Sequence, residues 1–166
     1  MLIISPSVLA ANFAALGSDV KKVEDAGAEY LHLDVMDGLF VPNMSFGASV
    51  IGALRKDSKM FFDVHLMIID PDRYVEDFVK AGADLITIHY ESCEDPLAVI
   101  RHIRALGVKA AVAIKPATDV SVLYPLLSEI DMALIMTVEP GFGGQKLIPY
   151  TIEKVRALRA YARENG

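Results

Sequence analysis

Short apolar runs rich in Val, Ile, Leu and Phe alternate along this chain with segments in which apolar residues recur at helical spacing. The runs predict strands at Ile3–Ser7, Tyr30–Val35, Phe61–Leu66, Leu85–His89, Ala110–Ile114 and Met132–Val138, with helices between them. Leu16, Val20 and Val23 share one helical face, as do Tyr74 with Phe78, and Ile152 with Val155 and Leu158. Punctuation agrees. Asp70-Pro71 and Asp95-Pro96 each read as an N-cap followed by proline at the first helical position, and Gly27, Gly82 and Gly107 stand where helices should stop. A weak internal repeat sets Ala26-Gly27-Ala28-Glu29-Tyr30-Leu31 against Ala81-Gly82-Ala83-Asp84-Leu85-Ile86. Strict alternation implies parallel strands joined by helical crossovers, an α/β fold. The 166 residues hold about six such units in a single domain, residues 1–166. A closed barrel of this kind needs eight units and about 250 residues. Periodicity alone therefore leaves an incomplete barrel and an open doubly wound sheet as competing readings.

Composition narrows the field of functions. Hydrophobic residues make up 53% of the chain, which fits strands buried on both faces. No apolar run approaches the roughly 18 residues needed to cross a bilayer, and the first residues lack the basic start of a signal peptide. The single cysteine, Cys93, excludes an internal disulfide and fits a reducing, cytoplasmic setting. A net charge of −6 argues against a nucleic-acid surface. It does not argue against a small anion, which backbone N–H groups can hold in an acidic protein.

Candidate chemistry concentrates at predicted strand ends. In Leu31-His32-Leu33-Asp34-Val35-Met36-Asp37-Gly38, the residues His32, Asp34 and Met36 share parity and point to one face, while Leu31, Leu33 and Val35 form an apolar set on the other. The next strand repeats the pattern with Asp63, His65 and Met67. Polar side chains on a buried face need partners. Two imidazoles and a carboxylate from neighbouring strands make a first shell for Zn²⁺, Fe²⁺ or Mn²⁺, and a structural His–Asp pair is the alternative the spacing leaves open. A second cluster, Met136 through Gln145, holds Gly141, Gly143 and Gly144 at a strand's carboxyl end; it is either an anion nest or a plain turn-rich loop. It matches neither the P-loop nor the dinucleotide fingerprint. Ser7 closes the first predicted strand. His89, Glu91 and Lys115 end others, and His102 reads as a surface residue.

These runs resemble one family. Leu31 through Gly38, then Phe40 through Asn43, is similar to the first signature of ribulose-phosphate 3-epimerases, and Met136 through Gln145 to the second; Ser5-Pro6-Ser7 and Val64-His65-Leu66-Met67 also fit, in order and at family spacing. The resemblance implies a (β/α)8 TIM-barrel type of fold and one divalent metal ion (Zn, Fe, Mn or Co) held by His32, Asp34 and His65. It implies Asp34 as one of two acid/base carboxylates, and substrate contacts from Ser7, His65, Gly141, Phe142, Gly143, Gly144, Met36, Met67 and Met136. The implied reaction is epimerisation at C3 of D-ribulose 5-phosphate to D-xylulose 5-phosphate. The implied partner is a phosphorylated ketopentose, with neither nucleic acid nor membrane, in a homo-oligomer. Allulose-6-phosphate 3-epimerase chemistry and a non-catalytic metal- or ligand-binding role are the alternatives. The resemblance also sets an expectation of departure. In the family a seventh strand carries the second aspartate and fourth ligand, and the chain stops about two units short of a full barrel. Weak or no activity is expected of the 166-residue chain alone.

Overall fold

A computed structural model describes residues 2–165. Five parallel strands form one sheet in chain order: β1 (Tyr30–Met36), β2 (Phe61–Met67), β3 (Leu85–His89), β4 (Lys109–Ile114) and β5 (Met132–Ile135). Helices α1 (Leu16–Asp25), α2 (Ala48–Arg55), α3 (Val75–Lys80), α4 (Pro96–Ala105) and α5 (Thr151–Asn165) alternate with the strands. Each strand pairs with the next, the arrangement of a (β/α) barrel wall and not of a doubly wound sheet, whose order reverses part-way. Among the described residues the wall is open, with β5 paired on one side only.

The alternation read from the sequence separates two faces. Leu31, Leu33 and Val35 join Phe62, Val64, Leu66, Ile86 and Ile88 in the main core under the helices, all under 5% exposed. The other face carries His32, Asp34, His65, Thr87 and a separate small cluster of Met36, Val41 and Met67. Gly27, Gly82 and Gly107 follow α1, α3 and α4 with positive φ, the left-handed stop that glycine allows. Asp95 caps α4 by accepting the Ala98 N–H at 3.1 Å. Asp70 does not cap: it sits at φ 50 with no side-chain cap bond, and Pro71–Tyr74 is a 3-10 turn leading into α3.

Three expectations are corrected. Ile3–Ser7 is not a regular strand. It lies parallel to β1, through the Tyr30 and His32 N–H groups donating to Ile4 and Pro6 carbonyls and a single bridge at Ser7, but Pro6 has no N–H to continue a ladder. The expected strand Met132–Val138 stops at Ile135, because its neighbour β4 ends at Ile114 and the chain leaves the sheet through Lys115-Pro116. Between β4 and β5 runs a 3-10 stretch, Val120–Glu129, where Pro125 prevents a regular helix. Val155, expected to share a covered helical face with Ile152 and Leu158, is 43% exposed.

Candidate metal and active site

Parallel in-register pairing builds the site. His32 stands opposite Asp63, and Asp34 opposite His65, so two His–Asp pairs cross between β1 and β2. Asp34 is the hub. Its Oδ1 lies 3.1 Å from His32 Nε2 and 3.0 Å from His65 Nδ1, and its Oδ2 accepts the Ser7 hydroxyl at 2.6 Å. Ser7 also caps the turn Val8–Ala10 by accepting the Leu9 N–H, so the irregular first segment is fixed to the hub. Ser45 ties the loop after β1 to the same strand, donating to the Asp34 carbonyl at 2.6 Å and accepting the Met36 N–H at 3.0 Å.

The outer nitrogens are occupied as well. His32 Nδ1 donates to Asp63 Oδ2 at 2.7 Å, and Thr87 donates to the other Asp63 oxygen at 3.1 Å. His65 Nε2 lies 2.9 Å from His89 Nε2, whose Nδ1 lies 3.2 Å from Glu91. No buried side-chain polar atom among the described residues lacks a partner.

Electrostatics follow. Burial opposes charge on His32, yet its hydrogen bonds with Asp34 and Asp63 outweigh burial and raise it to about 10. Burial likewise opposes ionised Asp34, but hydrogen bonds with His32 and His65 hold its carboxyl well below the usual range. The cluster thus attracts positive charge strongly. Burial lowers His89 to about 4, leaving it neutral at pH 7. Burial opposes ionisation of Glu91, but bonds from His89, Thr118 and the Lys115 N–H pull it down to about 2.

One donor atom each from His32, Asp34 and His65 falls within 4.8 Å of the others. Their outer positions are already satisfied, and the inward nitrogens share one point with Asp34 Oδ1, where a cation would displace the ring protons. That donor set fits a first-row divalent cation. The spacing left a structural His–Asp pair open; the convergence of two imidazoles on one oxygen goes beyond a pair.

The cleft over this cluster is lined by Ser7, Met36, Met67, Met136 and the segment Gly141–Gly144. The structure therefore brings together every site residue expected from the sequence. Gly141 is buried at φ 120, where a Cβ would come within 3.2 Å of Val41, and its carbonyl accepts from Asn43 Nδ2 at 2.8 Å. Phe142, by contrast, is 54% exposed. Cys93 is no nucleophile, because burial pushes its thiol up to about 11. His102 is partly exposed and pairs with Asp72. Lys115 lies over the Phe40 ring, 3.9 Å from its centroid. Sequence reasoning missed Asp63 as the partner of His32, although its shared parity with His65 was visible. It also undervalued His89 and Glu91, whose only signal was placement at a strand end.

Residues 3–166 match the family model described as ribulose-phosphate 3 epimerase family. The chain belongs to that family. It is 49% identical over 173 residues to a ribulose-phosphate 3-epimerase of Candida glabrata, covering 95% of this chain and 70% of the relative. The enzyme of the same name from Bacillus subtilis is 45% identical, covering 100% of this chain and 76% of the relative. A chloroplastic ribulose-5-phosphate-3-epimerase of Arabidopsis thaliana is 46% identical, over 99% of this chain and 59% of that one. Solved structures share the fold at low identity. A 3-hexulose-6-phosphate synthase aligns with TM-score 0.59 at 16% identity over 93% of this chain and 74% of that one. Tryptophan synthase subunit alpha from Legionella pneumophila aligns with TM-score 0.60 at 13% identity, over 96% and 68%. No helix among the described residues is long and apolar enough to cross a membrane.

Proposed function

We propose that this chain carries a ribulose-phosphate 3-epimerase site, acting at C3 of D-ribulose 5-phosphate to give D-xylulose 5-phosphate. The observation that carries the reading is the convergence of His32 Nε2, His65 Nδ1 and Asp34 Oδ1 under the cleft. In this reading His32, Asp34 and His65 hold one divalent ion (Zn, Fe, Mn or Co). Bound there, it would supply Lewis-acid stabilisation of the negative charge that develops on the substrate's oxygens. The chain's own residues do the rest. The C3 proton is α to the C2 carbonyl. Asp34, held ionised, takes it as general base; the C–H electron pair moves toward the carbonyl oxygen and produces an enediolate. Return of a proton to the opposite face, from the second acid/base aspartate that the resemblance implies on a seventh strand, inverts C3; Asp34 accounts for the first of the two transfers. Ser7 holds Asp34 Oδ2 in place. Met36, Met67 and Met136 line the cleft with polarisable sulfur and no acidic proton. Gly141, Phe142, Gly143 and Gly144 offer backbone N–H groups and a closing ring to the sugar phosphate. The same reading treats residues 1–166 as one barrel-type domain, and places the protein in the cytoplasm as a homo-oligomer. A relative in Oryza sativa is named as a cytoplasmic isoform.

The test is epimerisation of D-ribulose 5-phosphate by the intact polypeptide after chelation and after return of Zn²⁺, Fe²⁺, Mn²⁺ or Co²⁺. Metal-dependent formation of D-xylulose 5-phosphate is expected. Turnover that survives complete chelation would overturn the assignment of the cluster.

A further inference from the structure

The two candidate ligand imidazoles are supported from behind in different ways. His32 Nδ1 rests on a carboxylate, Asp63, at 2.7 Å. His65 Nε2 rests on a second imidazole, His89 Nε2, at 2.9 Å, with the rings edge to edge, their centroids 4.9 Å apart and their planes inclined by 28°. Two ring nitrogens at that distance share one proton: one ring donates and the other accepts. The direction is settled one residue further out. Glu91 Oε1 accepts the Lys115 backbone N–H at 2.7 Å and the Thr118 hydroxyl, and its Oε2 faces His89 Nδ1 at 3.2 Å. A carboxylate surrounded by donors only accepts, so His89 carries its hydrogen on Nδ1 and its Nε2 is bare. His65 Nε2 must then donate. Without a cation, His65 Nδ1 also carries hydrogen, given to Asp34 Oδ1 at 3.0 Å; a cation would displace that hydrogen and take the Nδ1 lone pair, while Nε2 keeps its own.

We propose that His89 and Glu91 are positioning residues that fix the tautomer of His65 and so select Nδ1 as its metal-facing nitrogen. This deepens the reading of His32, Asp34 and His65 as a metal site and rests on it. Neither positioning residue lines the cleft, and His89 is fully buried, so neither acts by touching substrate. The relay is anchored outside the site: Glu91 is held by β4's exit at Lys115 and by Thr118, so the end of β4 sets the protonation pattern of a ligand on β2.

The geometry predicts what Glu91→Gln would do. Gln has one acceptor oxygen, and the Lys115 N–H and Thr118 hydroxyl together compete for it against His89. With the amide oxygen on that side, its NH₂ faces His89 Nδ1, which must become the acceptor. His89 then carries its hydrogen on Nε2, His65 Nε2 becomes bare, and the one hydrogen left on His65 is on Nδ1, where it blocks the ligand position. His89→Gln keeps an acceptor oxygen toward His65 Nε2 and leaves the tautomer unchanged.

The experiment is ¹⁵N–¹H long-range correlation NMR of the histidine side chains in the metal-free intact protein, paired with Mn²⁺ and Co²⁺ titration of each variant. The expected result is a hydrogen on His65 Nε2 in the unsubstituted protein and none there in Glu91→Gln, with the His32 signals unchanged. Metal affinity should weaken about 10–100-fold in Glu91→Gln and largely recover in His89→Gln. A bare His65 Nε2 in the unsubstituted protein would overturn the inference, whether or not the Gln variant folds. So would a Glu91→Gln protein that binds metal as tightly as its parent. If the unsubstituted protein has the expected tautomer yet binds neither metal, the metal reading itself fails, and with it the ligand-selecting role.

Discussion

The two ends of the sheet treat acidic residues in opposite ways. At the amino-terminal ends of the strands the chain brings its own cations. Arg55, at the close of α2, donates to Asp84 at 2.9 Å and to the Met60 carbonyl at 2.8 Å, and stacks 3.8 Å from the Phe62 ring centroid. Asp84 in turn accepts the Phe62 N–H at 2.7 Å. Arg104 pairs with Asp131, which accepts the Ala110 N–H. Further along the strands, on the cleft face, Asp34 and Asp63 meet imidazoles and hydroxyls, and no Lys or Arg among the described residues pairs with either. One end is neutralised by guanidinium groups that never lose their charge. The other holds only imidazole protons, which an incoming cation can displace, and that is what a ligand site requires and a structural end does not.

Breaking the ligand end has the largest effect. Asp34→Asn removes a ligand and a base together and should lower kcat/KM for ribulose 5-phosphate by at least about 10³-fold, read in a coupled epimerase assay. Breaking the structural end should leave chemistry alone. Arg55→Ala loses bonds to Asp84, Ser58 and Met60 and should cost about 2 kcal/mol of stability by urea unfolding, discounted for partial exposure, with metal affinity unchanged. A shift in metal affinity from that substitution would show that the two ends are not independent.

A finer contrast lies behind His32. Asp63→Ala removes the acceptor for His32 Nδ1 and should weaken metal binding about 10–100-fold by calorimetric titration. Asp63→Asn can keep its oxygen toward His32 while its amide donates to the Thr87 hydroxyl, so most of the affinity should survive. The smallest effect is at Asp37, whose carboxylate is held by backbone N–H groups. Burial opposes its charge, but N–H groups of Ile69, Leu39 and Phe40 lower its pKa below the ordinary 3.8. A lowered folded pKa stabilises the fold above pH 3.8, and that contribution fades as pH falls through the folded value. Asp37→Asn should therefore lower the unfolding free energy slightly at pH 7, by less than about 1 kcal/mol in urea titration, with the difference from the parent shrinking in acid.

How much of this was legible in the sequence depended on where each residue draws its constraint. β1 to β4 were visible because burial on both faces writes itself as apolar runs and parity, and the same parity placed His32, Asp34 and His65 together. The first segment misled because Ile3, Ile4 and Ser7 look like a strand, while Pro6 withholds the N–H a ladder needs. β5 was drawn too long because its limit is set by β4's exit at Pro116, a neighbour that periodicity within one segment does not show. The support behind the ligands was the least legible part. Asp63, His89 and Glu91 work through registers between strands, His32 opposite Asp63 and His65 opposite Thr87, which only the folded sheet reveals.

The most direct test of the central claim, that the carboxyl end holds one externally supplied cation, is Mn²⁺ titration followed by electron paramagnetic resonance on the protein and on Asp34→Asn, with thermal unfolding of both as the control for folding. One Mn²⁺ per chain in the parent, lost in the folded variant, is the predicted result; equal binding by both proteins would contradict it.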